Sequence, residues 1–101
     1  MNLGFWSGAQ VNHCTMDPPP SVATLRRAVR SHLDGLHLYN YTADEISRCK
    51  NLYPRVRAWA RRLHAVGVDQ LITMVPVSQV MHDGAGGLGV DIFTLLPVAL
   101  M

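Results

Sequence analysis

The chain has 101 residues, which is enough for one domain and too few for two. Hydrophobic residues make up 49% of it and charged residues only 16%, a balance that favours segments buried on both faces and excludes a disordered chain. No apolar run reaches the roughly 18 residues of a membrane span, and the N-terminus lacks the features of a signal peptide. We therefore expect a soluble, cytoplasmic protein, or a chain that lacks its own N-terminus.

The net charge of +2 says little about partners, although all nine Lys and Arg residues lie between Arg26 and Arg62. The two cysteines, Cys14 and Cys49, have neither the spacing of metal ligands nor the number that a disulfide framework needs. The sequence does not decide whether they pair. Because unpaired cysteine is so often buried, the pattern favours one buried and one free thiol.

Residues 1–20 show no hydrophobic period and contain a run of three prolines at 18–20, so we interpret them as an irregular N-terminal segment. Phe5 and Trp6 are unusual residues for a free tail. They indicate a surface that contacts a partner or a neighbour missing from this chain.

A helix is predicted over 21–33, with Ser21 as its N-cap. Its apolar residues recur at steps of three and four along one stripe: Val22, Leu25, Val29 and Leu33. A second helix is predicted over 54–65, where Pro54 suits the first turn and Gly67 is placed to end the helix. Its apolar face comprises Val56, Trp59, Ala60 and Leu63.

Three strands are predicted. Residues 36–41 alternate with period two and are rich in tyrosine, whereas 70–75 and 90–96 are short apolar runs that end before a proline. A glycine-rich loop occupies 82–89. The order helix, strand, helix, strand, loop, strand predicts βαβ units and a parallel sheet, and so an α/β domain over 21–101.

Asp44 and Glu45 directly follow the first predicted strand. In a parallel α/β fold, functional groups gather at the carboxyl ends of the strands. Two adjacent carboxylates repel each other, and one that keeps its proton can act as a general acid. A solvated loop, or a pair that complements a helix N-terminus, explains the same residues. Because consecutive strand residues point to opposite faces, both carboxylates reach one substrate only if the strand turns or bulges there.

The stretches 38–45, 52–67 and 70–76 resemble a run in bacterial glycoside-hydrolase-like barrels related to the substrate-assisted β-N-acetylgalactosaminidases. In that family a tyrosine-rich strand ends in an Asp-Glu pair, and a helix of the pattern YPxVRxxAxxLHxxG follows. The stretch 90–97 resembles the family's next strand. The similarity covers about residues 22–98 and implies a fragment of a (β/α)8 (TIM) barrel, since a whole barrel needs roughly 250 residues.

The resemblance implies that Glu45 is the general acid that protonates the leaving oxygen. It also implies that Asp44 orients the 2-acetamido group of an N-acetylhexosamine, whose carbonyl oxygen attacks the anomeric carbon. Tyr39 and Tyr41 are candidates for stacking on the sugar, and at least one of them is expected in the barrel core because strand side chains alternate between faces.

His82 and Asp83 lie in the glycine-rich loop and are expected near the substrate without a catalytic role. The other histidines have no partner at ligand spacing, so the sequence predicts neither a metal site nor a cofactor. The expected partner is a carbohydrate substrate; a membrane is not expected, and nucleic acid is disfavoured. Open sheet edges would allow self-association.

Two other functions stay open. The first is that the chain is an inactive remnant of a truncated barrel, because it supplies only a few of the strands. Alternatively, it is a basic module for nucleic acid or an anionic surface, which would bind through Arg48, Arg55, Arg57, Arg61 and Arg62. Arginine stems that cover the edges of a helix's apolar stripe explain these residues equally well.

Overall fold

A computed structural model describes residues 2–10, 12–32, 37–74, 78–81 and 87–94. This part of the chain contains the helices α1 (Val22–Arg30) and α2 (Tyr53–His64) and the strands β1 (Tyr39–Asp44), β2 (Asp69–Thr73) and β3 (Ile92–Thr94). Short 3-10 turns span Lys50–Leu52 and Ser78–Val80. The strands form one parallel sheet in the order β1-β2-β3, which confirms the α/β class. Neither helix is long and apolar enough to cross a membrane.

Both helices form where capping and periodicity predict them. The Ser21 hydroxyl accepts a hydrogen bond from the backbone N–H of Thr24 at 3.2 Å, which caps α1 as expected. The four predicted core residues of α2 are all buried. Gly67 has a φ of +75°, and the N–H groups of Gly67 and Val68 bond the carbonyls of His64 and Leu63, which is a Schellman ending.

The predicted boundaries of the first strand were wrong. β1 begins at Tyr39 and ends at Asp44, so Asp44 is its last residue and does not lie in the following loop. The strand continues because Thr42 and Ala43 are both buried, and this pair of buried neighbours interrupts the alternation that the sequence analysis followed. α1 ends at Arg30, while Leu33 lies outside the described residues, as do 75–77 and 95–101.

The helix α2 covers one face of the sheet, and α1 packs against α2. Asn40, Gln70 and Ile72 are fully buried on that face, and the Gln70 amide nitrogen donates to the carbonyl of Val56 in α2 at 3.1 Å. Residues that alternate with these, such as Leu71, are only half-buried on the opposite face. Tyr39 and Tyr41 also lie on this half-buried face.

The N-terminal segment, although irregular, lies along the outer edge of β1 as part of the sheet. Its backbone hydrogen-bonds β1 at three points, from the Leu3 N–H to the Tyr39 carbonyl (2.7 Å), from Ser7 to Thr42 (3.1 Å) and from Asp44 back to Ala9 (3.1 Å). The Asn40 side chain also binds the backbone of Phe5, accepting from its N–H at 2.8 Å and donating to its carbonyl at 2.9 Å. The segment therefore satisfies backbone groups that an open edge would expose.

A disulfide joins Cys14 and Cys49, whose Cα atoms are 5.3 Å apart. The expectation of one buried and one free thiol was therefore wrong. The two residues meet because the N-terminal segment passes over α2 and the turn before it. The Asn51 side chain donates to the Cys14 carbonyl at 3.3 Å, and the Trp59 indole N–H in the middle of α2 donates to the Asp17 carbonyl at 2.7 Å. The disulfide closes a loop of 35 residues that contains α1 and β1.

The double variant Cys14→Ser/Cys49→Ser is expected to lower the free energy of unfolding by about 4 kcal/mol, because the cross-link no longer restricts the unfolded chain. Urea denaturation measures the difference. A reducing agent should destabilise the natural chain by the same amount and leave the double variant unchanged. Equal stability of the two oxidised proteins would contradict the role of the disulfide.

Candidate active site

A β-bulge at the carboxyl end of β1 aligns Tyr41 with Asp44. In the register with β2, Tyr41 pairs with Leu71 and Ala43 pairs with Ile72, so Thr42 is an extra residue. Without this extra residue, Tyr41 and Asp44, which are three positions apart, would point to opposite faces of the sheet. The bulge returns Asp44 to the face that carries Tyr41; it lies before the Asp44–Glu45 pair that the sequence analysis considered and does not itself align those two carboxylates.

Three side chains meet at this point. The Tyr41 hydroxyl donates to Asp44 Oδ1 at 2.9 Å, and the Thr73 hydroxyl lies 2.5 Å from the same Tyr41 oxygen. Since Tyr41 has only one proton, Thr73 is the donor in the second bond. Thr73 ends β2 and pairs with Asp44 in the sheet. Within the described part of the chain, no other side chain hydrogen-bonds the Asp44 carboxylate, so its second oxygen is available to a ligand.

Glu45 follows β1 in a left-handed backbone conformation, with a φ of +54°. A residue with a side chain adopts this conformation at a cost of about 1–2 kcal/mol. The chain is held on both sides of Glu45, because the Asp44 N–H bonds the Ala9 carbonyl and the Ile46 N–H bonds the Thr73 carbonyl at 3.2 Å. Backbone strain of this kind is common at functional sites.

An open cleft of about 300 Å³ lies beside Asp44, at the lower end of the size range of ligand sites. It is lined by Asn2, Gly4, Trp6, Tyr41 and Asp44. The Trp6 side chain is 48% exposed, and its ring lies 6.2 Å from that of Tyr41 at 55°, a tilted aromatic pair. The cleft thus combines an accessible aromatic surface with a carboxylate.

The structure brings together only some of the residues predicted for the site. Tyr41, Asp44 and Glu45 lie together at the carboxyl end of β1. Tyr39 shares the face of Tyr41 but lies nearer the start of the strand and does not line the cleft. His82 and Asp83 lie outside the described residues.

Several residues of the site were missed by the sequence analysis. Thr73 was read only as part of a buried strand, although a hydroxyl at a strand end is a usable signal. Asn2 and Gly4 carried no signal of their own. Trp6 was noticed as an aromatic residue in an irregular segment, and the structure places it, exposed, in the wall of the cleft.

Burial raises the pKa of the Tyr41 hydroxyl above its usual value of 10.0. The hydrogen bond from Thr73 lowers this pKa, while the hydrogen bond to Asp44 and the charges of Asp44 and Glu45 raise it further. Tyr41 therefore stays protonated throughout the neutral range. In that state it holds the Asp44 carboxylate in place as a neutral donor.

No model of a known protein family matches this sequence, and no curated protein matches it significantly.

Replacement of Glu45 tests the backbone conformation. Glu45→Gly should give a protein about 1 kcal/mol more stable than Glu45→Ala, because glycine adopts positive φ without a steric penalty. Urea denaturation compares the two. As a matched control, Ala58→Gly within α2 should lower the free energy of unfolding by about 1 kcal/mol, because glycine is less favourable than alanine inside a helix. If the alanine variant at position 45 were equally stable, the left-handed conformation would be refuted.

The raised pKa of Tyr41 predicts a pH effect on stability. A proton held more tightly in the folded than in the unfolded chain contributes stability that is complete below pH 10 and is lost as the pH rises through the folded pKa. Ultraviolet absorbance should show one tyrosine that ionises above the usual range, and Tyr41→Phe should remove that step. Tyr39→Phe is the control. Loss of the late step in the control instead would contradict the assignment.

Proposed function

We propose that this chain is part of a glycoside-hydrolase barrel that cleaves the bond to an N-acetylhexosamine by a substrate-assisted mechanism. The observation that carries the proposal is the bulge in β1. It sets Asp44 beside Tyr41 at the carboxyl end of a parallel strand, with Glu45 next in the chain, and this is where barrel enzymes hold their catalytic groups.

The topology supports a slice of a (β/α)8 barrel. The strands follow chain order across the sheet, and the N-terminal segment adds one more parallel edge before β1. A doubly wound sheet would instead reverse its strand order and carry helices on both faces. In the barrel reading, the half-buried face with Tyr41 and Leu71 is the barrel interior, and α1 and α2 belong to the outer ring.

In the proposed mechanism, the free oxygen of the Asp44 carboxylate accepts the N–H of the substrate's acetamido group. This interaction turns the acetamido carbonyl oxygen toward the anomeric carbon, where it forms a bond as the bond to the leaving oxygen breaks. Glu45 gives its proton to that leaving oxygen. Glu45 then takes a proton from the water that attacks the anomeric carbon and opens the cyclic intermediate.

Trp6 supplies the binding surface in this proposal. Its ring is half exposed, borders the cleft and is braced by Tyr41, so one face is accessible to the apolar C–H face of a sugar. A rigid aromatic surface beside a few placed polar groups is the usual composition of a small-molecule site.

The two alternatives differ in what they predict. An inactive remnant would keep the fold and bind sugar weakly or not at all. The basic module has less support from the structure, because Arg57 donates to the Gln79 carbonyl at 2.7 Å and Arg62 to the Pro20 carbonyl at 3.1 Å. These two guanidinium groups tie neighbouring segments to α2, as expected of side chains on an outer helix.

Self-association and the cellular location of the chain are the two remaining predictions. Self-association would involve the outer edge of β3, which pairs with no strand among the described residues. The Cys14–Cys49 disulfide counts against the predicted cytoplasmic location, because such bonds persist mainly in oxidising compartments.

Sugar binding tests the proposal through the fluorescence of Trp6. N-acetylgalactosamine and N-acetylglucosamine should change the emission, whereas galactose and glucose, which lack the acetamido group, should not. Asp44→Asn should weaken binding about tenfold, because a hydrogen bond to a charged group contributes about 1.5–3 kcal/mol. Trp6→Phe leaves the buried Trp59 as the reference signal.

Hydrolysis of a chromogenic N-acetylhexosaminide completes the test. Any turnover should be lost in Glu45→Gln and retained in Arg55→Gln, a control on the exposed surface of α2. Turnover that survives Glu45→Gln would refute the general acid. Equal binding of glucose and N-acetylglucosamine would refute the role of Asp44, and binding without turnover would favour the inactive remnant.

A further inference from the structure

A second group of ionisable side chains lies at the amino end of the sheet, opposite the cleft. His64 is the last residue of α2, Asp69 is the first residue of β2, and Asp91 immediately precedes β3. One ligand atom from each of the three residues lies within 4.8 Å of the other two. The group therefore joins three separate elements at a single point.

Asp91 is held in place from two sides. Its Oδ2 accepts a hydrogen bond from His64 Nε2 at 2.6 Å and another from the backbone N–H of Gln70 at 2.7 Å. The side chains of Asp91 and His64 are only 14% and 23% exposed. This pair is thus fixed and largely shielded from water, unlike the scattered carboxylates of an ordinary protein surface.

A further histidine approaches from the start of β1. His37 Nε2 lies 2.7 Å from Asp69 Oδ2, at a more exposed position than the His64–Asp91 pair. The amino end of the sheet therefore carries two imidazoles and two carboxylates. The two carboxylates repel each other at this separation, and a divalent cation between them would remove the repulsion.

The donor atoms select the kind of cation. Imidazole nitrogen together with carboxylate oxygen is a ligand set that zinc accepts in tetrahedral sites, with bonds of about 2.0–2.2 Å. Magnesium and calcium prefer oxygen ligands alone. The Gln70 N–H to Asp91 is the kind of outer hydrogen bond that orients a metal-binding carboxylate.

We propose that His64, Asp69 and Asp91 bind one zinc ion, with His37 or water in the fourth position. The ion would take the place of the proton that His64 now donates to Asp91, which requires those two groups to separate by less than about 1 Å given the usual bond lengths. The ion would join the end of α2 to the starts of β2 and β3. The site does not depend on the proposed hydrolase function.

Calorimetric titration of the metal-free chain with zinc chloride tests the site, with the midpoint of thermal unfolding as a second measurement. One saturable site per chain and a rise in the unfolding temperature are expected, and magnesium chloride should give neither. Asp91→Asn keeps an oxygen for the Gln70 N–H but removes the charge. It should weaken zinc binding at least about tenfold, since loss of outer partners alone costs 10- to 100-fold.

Asp69→Asn is the second variant, at a more exposed position where folding is less at risk, and it should weaken zinc binding in the same way. His13→Ala is the matched control, because His13 is exposed, bonds Thr15 and stands outside the group. Its affinity for zinc should equal that of the natural chain. Absence of saturable binding, or binding that both Asp variants retain, would overturn the proposal and leave the group as hydrogen-bonded His–Asp pairs.

Discussion

The extra residue in β1 is the constraint on which the candidate active site depends. Thr42 shifts the register by one position, and this shift alone puts Tyr41 and Asp44 on the same face of the sheet. The bulge is stabilised from the N-terminal side, because the Thr42 carbonyl accepts hydrogen bonds from both the backbone N–H and the hydroxyl of Ser7. A parallel sheet rarely contains a bulge, and here the neighbouring segment supplies the partners that it needs.

The N-terminal segment therefore has two roles that share the same hydrogen bonds. It covers the edge of β1, and it forms the wall of the cleft that carries Trp6. Asn40 links these roles, because its buried side chain binds the backbone of Phe5 next to Trp6. The disulfide from Cys14 to Cys49 fixes the far end of the segment to the chain that follows Glu45. The strained conformation at Glu45 persists because the surrounding structure is restrained on both sides.

The sequence predicted what depends on local pattern and missed what depends on long-range contacts. Both helices followed from periodicity and from caps such as Ser21 and Gly67, which act within a few residues. The bulge at Thr42 rests on Ser7, 35 positions away, and no period reveals it. The disulfide depends on the same return of the chain. For Asp44 and Glu45, the pair itself was visible in the sequence, but the partners Tyr41 and Thr73 required the register of two strands.

The aspartates at the two ends of the sheet, Asp91 and Asp44, differ in the hydrogen-bond donors that compensate their charges. At the amino end, Asp91 has donors from both a histidine and the backbone, so its charge is compensated by fixed partners. At the carboxyl end, the Tyr41 hydroxyl is the one side-chain donor to Asp44 within the described part of the chain, and Asp44 lines a cleft. Asp91 joins the end of α2 to the starts of β2 and β3, whether its partner is the His64 proton or the proposed zinc ion, whereas Asp44 is held by Tyr41 beside an open cleft. Barrel enzymes divide their strand ends in the same way, with stabilising groups at the amino end and reactive groups at the carboxyl end, and the contrast between Asp91 and Asp44 therefore belongs to what supports the proposed function.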